Sequence, residues 1–215
     1  MNDVKLCIGV PSSDMMNARF VTALMSLVLS SKDIEIVFIN NMSSRITVNR
    51  NEIVKFAIKE KCTHLLFIDS DMTFPPNALE ALLEVDKDVV CATATRREEG
   101  GTPLGIPLDE KDYYTTKSLI KMAMVGMPFM LLKMSVFEKM TAPYFAEPIM
   151  DGNVIPEDNY FCLKIHEAGF DIWCHLNLSL AMGHVGYKEY KINSKPIGGL
   201  SGLGTGGIDG GRMAA

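Results

Sequence analysis

The chain has 215 residues, of which 47% are hydrophobic, and a formal net charge of −5 at neutral pH. A chain of this length buries roughly 70% of the surface that its unfolded form exposes, so a single globular domain needs neither disulfides nor a structural metal. The acidic balance argues against a nucleic-acid-binding surface, which is usually basic.

Strands and helices are predicted to alternate through the first half of the chain. Runs that are apolar on both faces predict strands at 4–10, 34–39, 64–68 and 89–94. Helical spacing predicts helices between them at 15–29, 50–60 and 75–84. This alternation is typical of an α/β fold with a mainly parallel central sheet flanked by helices, in which ligands bind at the carboxyl ends of the strands.

The second half is less regular. A polar loop is expected at 98–114, an apolar strand-like segment with a bend at 122–133, a helix at 156–168, and one or two short strands at 172–182. Eight of the fourteen residues from 198 to 211 are glycine, so we divide the chain into one domain, 1–197, and a flexible tail, 198–215. The tail has a GxGxxG match, but no strand precedes it and no helix follows, which argues against a dinucleotide site.

The five cysteines are odd in number and form no CxxC pair, which predicts reduced core residues and a cytoplasmic protein. Asp3 and Lys5 interrupt the first residues, so no signal peptide is expected. No apolar run approaches the ~20 residues of a transmembrane segment.

The strongest local motif is HLLFIDSDMTFPP, in which a buried strand ends at Asp69-Ser70-Asp71. Residues i and i+2 of an extended segment point to the same side, and two adjacent carboxylates raise each other's pKa unless a cation lies between them. Mn²⁺ and Mg²⁺ accept such oxygen ligands. The alternative is an ordinary turn in which the aspartates only cap the next segment.

Other candidates lie near the same edge of the predicted sheet. Pro11-Ser12-Ser13 follows the first strand, where a base or ribose could rest, and Arg45, Arg50 and Asn51 follow the second. Guanidinium groups suit phosphates and planar rings, although each arginine could equally be a solvated surface charge.

Two further motifs occur late in the chain. His184 is either a metal ligand or an ordinary core histidine. Glu157-Asp158 opens a helix, where acids favour the helix dipole, but one of them could also act as a general base.

Taken in order, these motifs resemble the GT-A glycosyltransferases, and in particular the compact family 2-like enzymes of phages and giant viruses. The resemblance covers roughly residues 4 to 190. It is carried by the segments IGVPSSD, SRITVNRN, LLFIDSDMTFPPNALEALL, VGMPFMLLKMSVFEKM, PEDNYFCLKIHEAGFDIW and GHVG.

The resemblance implies a role for each matching residue. Asp71, Asp69 and His184 would hold Mn²⁺ or Mg²⁺, and Asp158, with Glu157 as the alternative, would be the base of an inverting transfer. A UDP- or GDP-sugar donor would contact the residues that follow the strands, which are Pro11, Ser12, Ser13, Arg45, Arg50, Asn51, Asp69, Ser70 and Arg96. A viral member would work in the host cytoplasm.

Two other functions remain open on sequence alone. A sugar-1-phosphate nucleotidyltransferase usually has a glycine-rich loop with Arg or Lys after the first strand, and here that position reads PSSDMMNARF. A non-catalytic nucleotide-sugar or glycan-binding module could keep the same scaffold. The chain departs from the family in size, with little room for a dedicated acceptor domain, and the acceptor could be a glycan, lipid, protein or small molecule.

Overall fold

Strands and helices alternate as the sequence predicts, in a computed structural model that describes residues 4–97, 103–186 and 189–191. The strands are β1 (Lys5–Ser12), β2 (Glu35–Met42), β3 (His64–Ile68), β4 (Met72–Thr73), β5 (Val89–Ala92), β6 (Gly105–Pro107), β7 (Leu119–Val125), β8 (Phe129–Lys133), β9 (Ile149–Met150), β10 (Asn153–Val154), β11 (Ile172–His175), β12 (Gly183–Val185) and β13 (Glu189–Lys191). The helices are α1 (Ala18–Ser30), α2 (Ile46–Lys59), α3 (Ala78–Leu83), α4 (Ser135–Glu138), α5 (Glu157–Glu167) and α6 (Leu176–Ala181), with a 3₁₀ turn at Glu110–Tyr114.

Within the described residues, eight strands form the central sheet in the order β2-β1-β3-β8-β5-β11-β7-β6. Parallel pairing joins β1 to β2 and to β3, and β5 to β11. The inserted strands β8 and β7 run antiparallel to their neighbours, so β1, β2, β3, β5 and β11 share one direction. The expected α/β fold with a mainly parallel central sheet is confirmed.

Both faces of the sheet are covered, which explains why its strands are continuously apolar. Along β1, Cys7 faces a cluster with α2 and α5, while Leu6 and Ile8 face a cluster with α1 and α3. All five cysteines are buried and free, as expected. Of the helices that the structure describes, none is long and apolar enough to cross a membrane.

Several elements differ from the predicted ones. β1 and β2 continue to Ser12 and Met42, because the two strands stay paired through turn-like residues. α2 begins at Ile46 rather than at residue 50, so Arg50 lies inside the helix. The glycine-rich tail and its GxGxxG match lie outside the described residues.

Residues 172–182 form one strand and a helix, not one or two strands. The alternation of Leu176, Leu178 and Leu180 is typical of a strand, yet this segment is α6. The His175 side chain accepts a hydrogen bond from the backbone N–H of Leu178, and Ser179 Oγ donates to the His175 carbonyl. The His175 side chain thus caps the first turn of α6, which favours the helical conformation over the predicted strand.

Gly9 allows α2 to approach β1 closely. A Cβ atom added at Gly9 would lie 2.3 Å from Cγ2 of Ile53, which is fully buried. We expect Gly9→Ala to lower the free energy of unfolding by about 1–3 kcal/mol through overpacking, measured by urea denaturation. In the double variant with Ile53→Ala, the loss should be smaller than the sum of the single losses. Strict additivity would contradict this explanation.

Candidate active site

The Asp69-Ser70-Asp71 triplet forms a turn between β3 and β4. The backbone N–H of Met72 donates to the Asp69 carbonyl at 3.2 Å, and the N–H of Asp69 donates to the Pro128 carbonyl at 3.1 Å. The triplet is therefore not the extended segment that its sequence suggested. Its two carboxylates line one cleft but reach different partners.

Arg50 joins Asp69 to Glu157. Its Nη2 lies 3.2 Å from Asp69 Oδ1 and its Nη1 lies 2.8 Å from Glu157 Oε1, while the Arg50 side chain is only 4% exposed. Burial raises the pKa of the Asp69 carboxyl, the Arg50 guanidinium opposes this shift, and the charge of Asp71 adds to it. The guanidinium thus cross-links α2, the end of β3 and the start of α5.

Asp71 has two cationic neighbours when His184 is protonated. Arg97 Nη2 donates to Oδ2 of Asp71, and His184 Nε2 lies 3.4 Å from the same oxygen. Burial is the largest single influence on the pKa of Asp71 and raises it, but His184 and Arg97 together outweigh burial, so the pKa is lowered. The hydrogen bond with Asp71 raises the pKa of His184 against the opposing effect of burial.

The orientation of His184 suits a metal ligand. Its Nδ1 lies 2.8 Å from the Thr95 carbonyl oxygen, which can only accept a hydrogen bond, so Nδ1 carries the proton. In the neutral ring Nε2 then presents its lone pair toward Asp71, the arrangement usual for metal-binding histidines.

Asp71 supplies one carboxylate and His184 one imidazole nitrogen at the same point, and Mg²⁺ is commonly bound by one or two carboxylates plus substrate phosphates. Arg97 donates to the same oxygen of Asp71, so a cation there would have to displace or share this contact. In the part of the chain that the structure describes, no group of three or more His, Cys, Asp or Glu side chains could hold a metal ion. Asp69 is paired with Arg50 instead.

The two acids at the start of α5 differ in their partners. Glu157 is paired with Arg50 and its side chain is 15% exposed. Asp158 accepts a local hydrogen bond at Oδ1 from the backbone N–H of Asn159, at 2.7 Å. No basic side chain of the described residues lies within ion-pair distance of Asp158. Asp158 is therefore the more available of the two carboxylates to take a proton.

One cleft of about 400 Å³ collects most of the residues that the sequence singles out. It lies at the carboxyl ends of β1 and β3, as expected for a sheet of this kind. Ten of the predicted site residues line it, namely Pro11, Ser12, Ser13, Arg50, Asp69, Ser70, Asp71, Glu157, Asp158 and His184. We refer to it as the first cleft.

Three predicted residues lie elsewhere. Arg45 occupies the N-cap position of α2 and does not line the first cleft. The Asn51 side chain is turned to a neighbouring loop, where it donates to the Phe145 carbonyl and accepts from the Tyr144 N–H. Arg96 lines an adjacent cavity of about 450 Å³, the second cleft.

The sequence analysis missed several lining residues: Ser43, Ser44, Ile46, Asn49, Leu104, Gly126, Met127 and Pro128. Asn49 is the most informative, because its buried amide donates to the carbonyls of Ser12 and Ser43 and accepts from Asn41. It fixes the ends of β1 and β2 relative to each other. The signal in the sequence was the polar Asn40-Asn41 pair at the end of an apolar strand.

No protein-family model and no curated protein matches this sequence. Solved structures do match its fold. A197 from STIV is 20% identical with a TM-score of 0.62, and the alignment covers 95% of this chain and 98% of that one. The inositol-1-phosphate CTP transferase from T. maritima is 10% identical with a TM-score of 0.49, over 80% of this chain and 89% of that one.

At these identities the likeness concerns the fold alone. The likeness extends over nearly the whole of both chains. The topology confirms the expected fold class, α/β with a mainly parallel central sheet flanked by helices, and A197 shares this fold.

Proposed function

We propose that the protein is a metal-dependent glycosyltransferase that moves a sugar from a nucleoside-diphosphate sugar to an acceptor hydroxyl with inversion. The observation that carries this proposal is that the Asp71–His184 pair and the available Asp158 carboxylate line the same cleft. A direct displacement at the anomeric carbon needs a group that stabilises the leaving diphosphate and a general base for the acceptor hydroxyl, both in the same cavity.

The donor's nucleoside fits the part of the first cleft formed by Pro11, Ser12 and Ser13. Ser12 Oγ donates to Asn40 Oδ1 at 2.7 Å, and Asn49 holds the Ser12 carbonyl, so this wall is rigid. The diphosphate then lies toward Asp71. Asp71 and His184 would hold Mn²⁺ or Mg²⁺, which would supply positive charge to stabilise the departing diphosphate.

In the proposed reaction the acceptor oxygen forms a bond to the anomeric carbon while the bond from that carbon to the diphosphate oxygen breaks. The bonding electrons leave with the nucleoside diphosphate, and the acceptor proton passes to an Asp158 oxygen. Glu157 is the less available acceptor for that proton, because its Oε1 lies 2.8 Å from Arg50 Nη1 and is paired with the guanidinium. The Arg50 cross-link sets the distance between Asp158 and the donor.

The proposal is tested by nucleotide binding. We expect Mn²⁺ to raise the affinity of the wild-type protein for UDP or GDP. Asp71→Asn should lower the affinity measured in the presence of Mn²⁺ by about tenfold or more. Isothermal titration with and without Mn²⁺ measures both effects. Asp33→Asn, which makes the same charge change at an exposed position beside α1, is the matched control.

Nucleotide binding that is indifferent to both the metal and Asp71→Asn would refute metal-dependent donor binding. A panel of UDP- and GDP-sugars, scored for release of the nucleoside diphosphate in the presence of Mn²⁺, identifies the donor without requiring the acceptor.

A further inference from the structure

We propose that the second cleft is the acceptor site, and that it takes a small polyhydroxy compound carrying a phosphate or carboxylate group. This inference rests on the proposed function, because it places the donor in the first cleft. The second cleft has a volume of about 450 Å³ and lies between β6, β7 and the start of α5. That volume is within the range of about 300–1,000 Å³ typical of small-molecule sites.

The two clefts meet at Asp158. Leu104, Gly126 and Asp158 line both of them. A Cβ atom on Gly126 would lie 3.7 Å from Asp158 Oδ2, in ordinary van der Waals contact, so glycine leaves this side of the carboxylate uncovered. Asp158 itself lines both clefts. An acceptor in the second cleft can therefore present a hydroxyl to the base while the donor occupies the first cleft.

The polar groups of the second cleft indicate the class of acceptor. Arg96 is exposed on its wall, and within the described residues no carboxylate lies within ion-pair distance of it. An unpaired guanidinium binds phosphate or carboxylate in a two-pronged geometry. The Asn159 side chain offers an amide that can bind further hydroxyl groups. Asp158 is the only acidic residue among the described lining residues, and in this proposal it accepts the proton of the reacting hydroxyl.

The test compares three probes of similar size: glucose 6-phosphate, glucuronate and glucose. Each is titrated into the full chain with Mn²⁺ and whichever of UDP or GDP binds already in place, and binding is followed by calorimetry. We expect the wild-type protein to bind each charged probe about 10–100-fold more tightly than glucose, the ratio usual for a charge-assisted hydrogen bond. Comparing glucose 6-phosphate with glucuronate shows whether phosphate or carboxylate is the preferred anion.

Substitutions assign the preference to Arg96. Arg96→Ala should abolish the preference for the charged probes, and Arg96→Lys should keep part of it. Arg19→Ala makes the same charge change at an exposed position of α1 and should keep all of it. Equal binding of glucose, a preference that survives Arg96→Ala, or no binding of any probe would overturn the proposal.

The two proposals fail in different ways. If neither UDP nor GDP binds the wild-type protein with Mn²⁺, the proposed function fails, and the probes are then titrated into the protein alone. If one of these nucleotides binds as expected but displaces the charged probes, the second cleft is not a separate site and only the present inference fails.

Discussion

Replacing Asp158 with Asn lowers the rate of sugar transfer by about 10²–10⁴-fold, the usual contribution of a general base, while nucleoside diphosphate still binds. The amide has nearly the shape of the carboxylate, and it can still accept the hydrogen bond from the N–H of Asn159. It cannot take the acceptor proton. Measured kcat should fall, whereas the UDP or GDP affinity from titration should stay that of the wild type.

Glu157→Gln is the matched control for Asp158→Asn, because it makes the same chemical change one residue earlier. The glutamine side chain keeps an oxygen for Arg50 but loses the ion pair, so we expect a loss of stability and a much smaller loss of kcat. The reverse order of effects would make Glu157 the base. A wild-type protein that binds a donor sugar but never turns it over would favour the non-catalytic module.

The central strands were predictable because their burial leaves a strong pattern. β3 has the predicted bounds, since His64–Ile68 is a mostly apolar run that packs on both faces of the sheet. The ends of elements were less predictable. Ser12 and Met42 are held in β1 and β2 by pairing with each other, and such pairing is not visible in either segment alone.

The same limit applies to the site. The position of the first cleft at the edge of the sheet, and most of its lining residues, can be predicted from where the strands end. The partner of each carboxylate cannot, because Arg50 and Glu157 lie 107 residues apart and meet only because α2 and α5 share the core cluster on one face of the sheet. Arg50 is typical of a phosphate-binding residue in the sequence, yet the structure buries it between two acids.

Arg50 should matter more to stability than any other single charge in the first cleft. Arg50→Met keeps an apolar contact with the Phe145 ring, which lies 5.8 Å from the guanidinium carbon, but leaves Asp69 and Glu157 without their cation. Breaking a buried ion pair costs about 3–5 kcal/mol. Because the Asp69 side chain is 33% exposed, solvent screens part of this cost, and we expect a loss of about 3 kcal/mol in urea unfolding at pH 7.

The pH dependence identifies the cause of that loss. The pKa of Asp69 is already raised by burial, and the Arg50 guanidinium opposes the shift, so Arg50→Met should raise this pKa further. An acid with a raised folded-state pKa destabilises the fold above that pKa, and the destabilisation disappears as the pH falls through it. The difference from the wild type should therefore shrink toward acidic pH.

A variant in which Arg50→Met is combined with Asp69→Asn and Glu157→Gln removes all three charges and should recover most of the stability at pH 7. If the triple variant is as unstable as Arg50→Met, and the loss does not depend on pH, the cross-link stabilises the fold by packing rather than by charge. In either case, kcat of Arg50→Met can be measured at about 20 °C if the variant is still folded there, so that an effect on catalysis is distinguished from unfolding. A loss of kcat beyond the unfolded fraction would then show that the cross-link also positions Asp158 at the boundary of the two clefts.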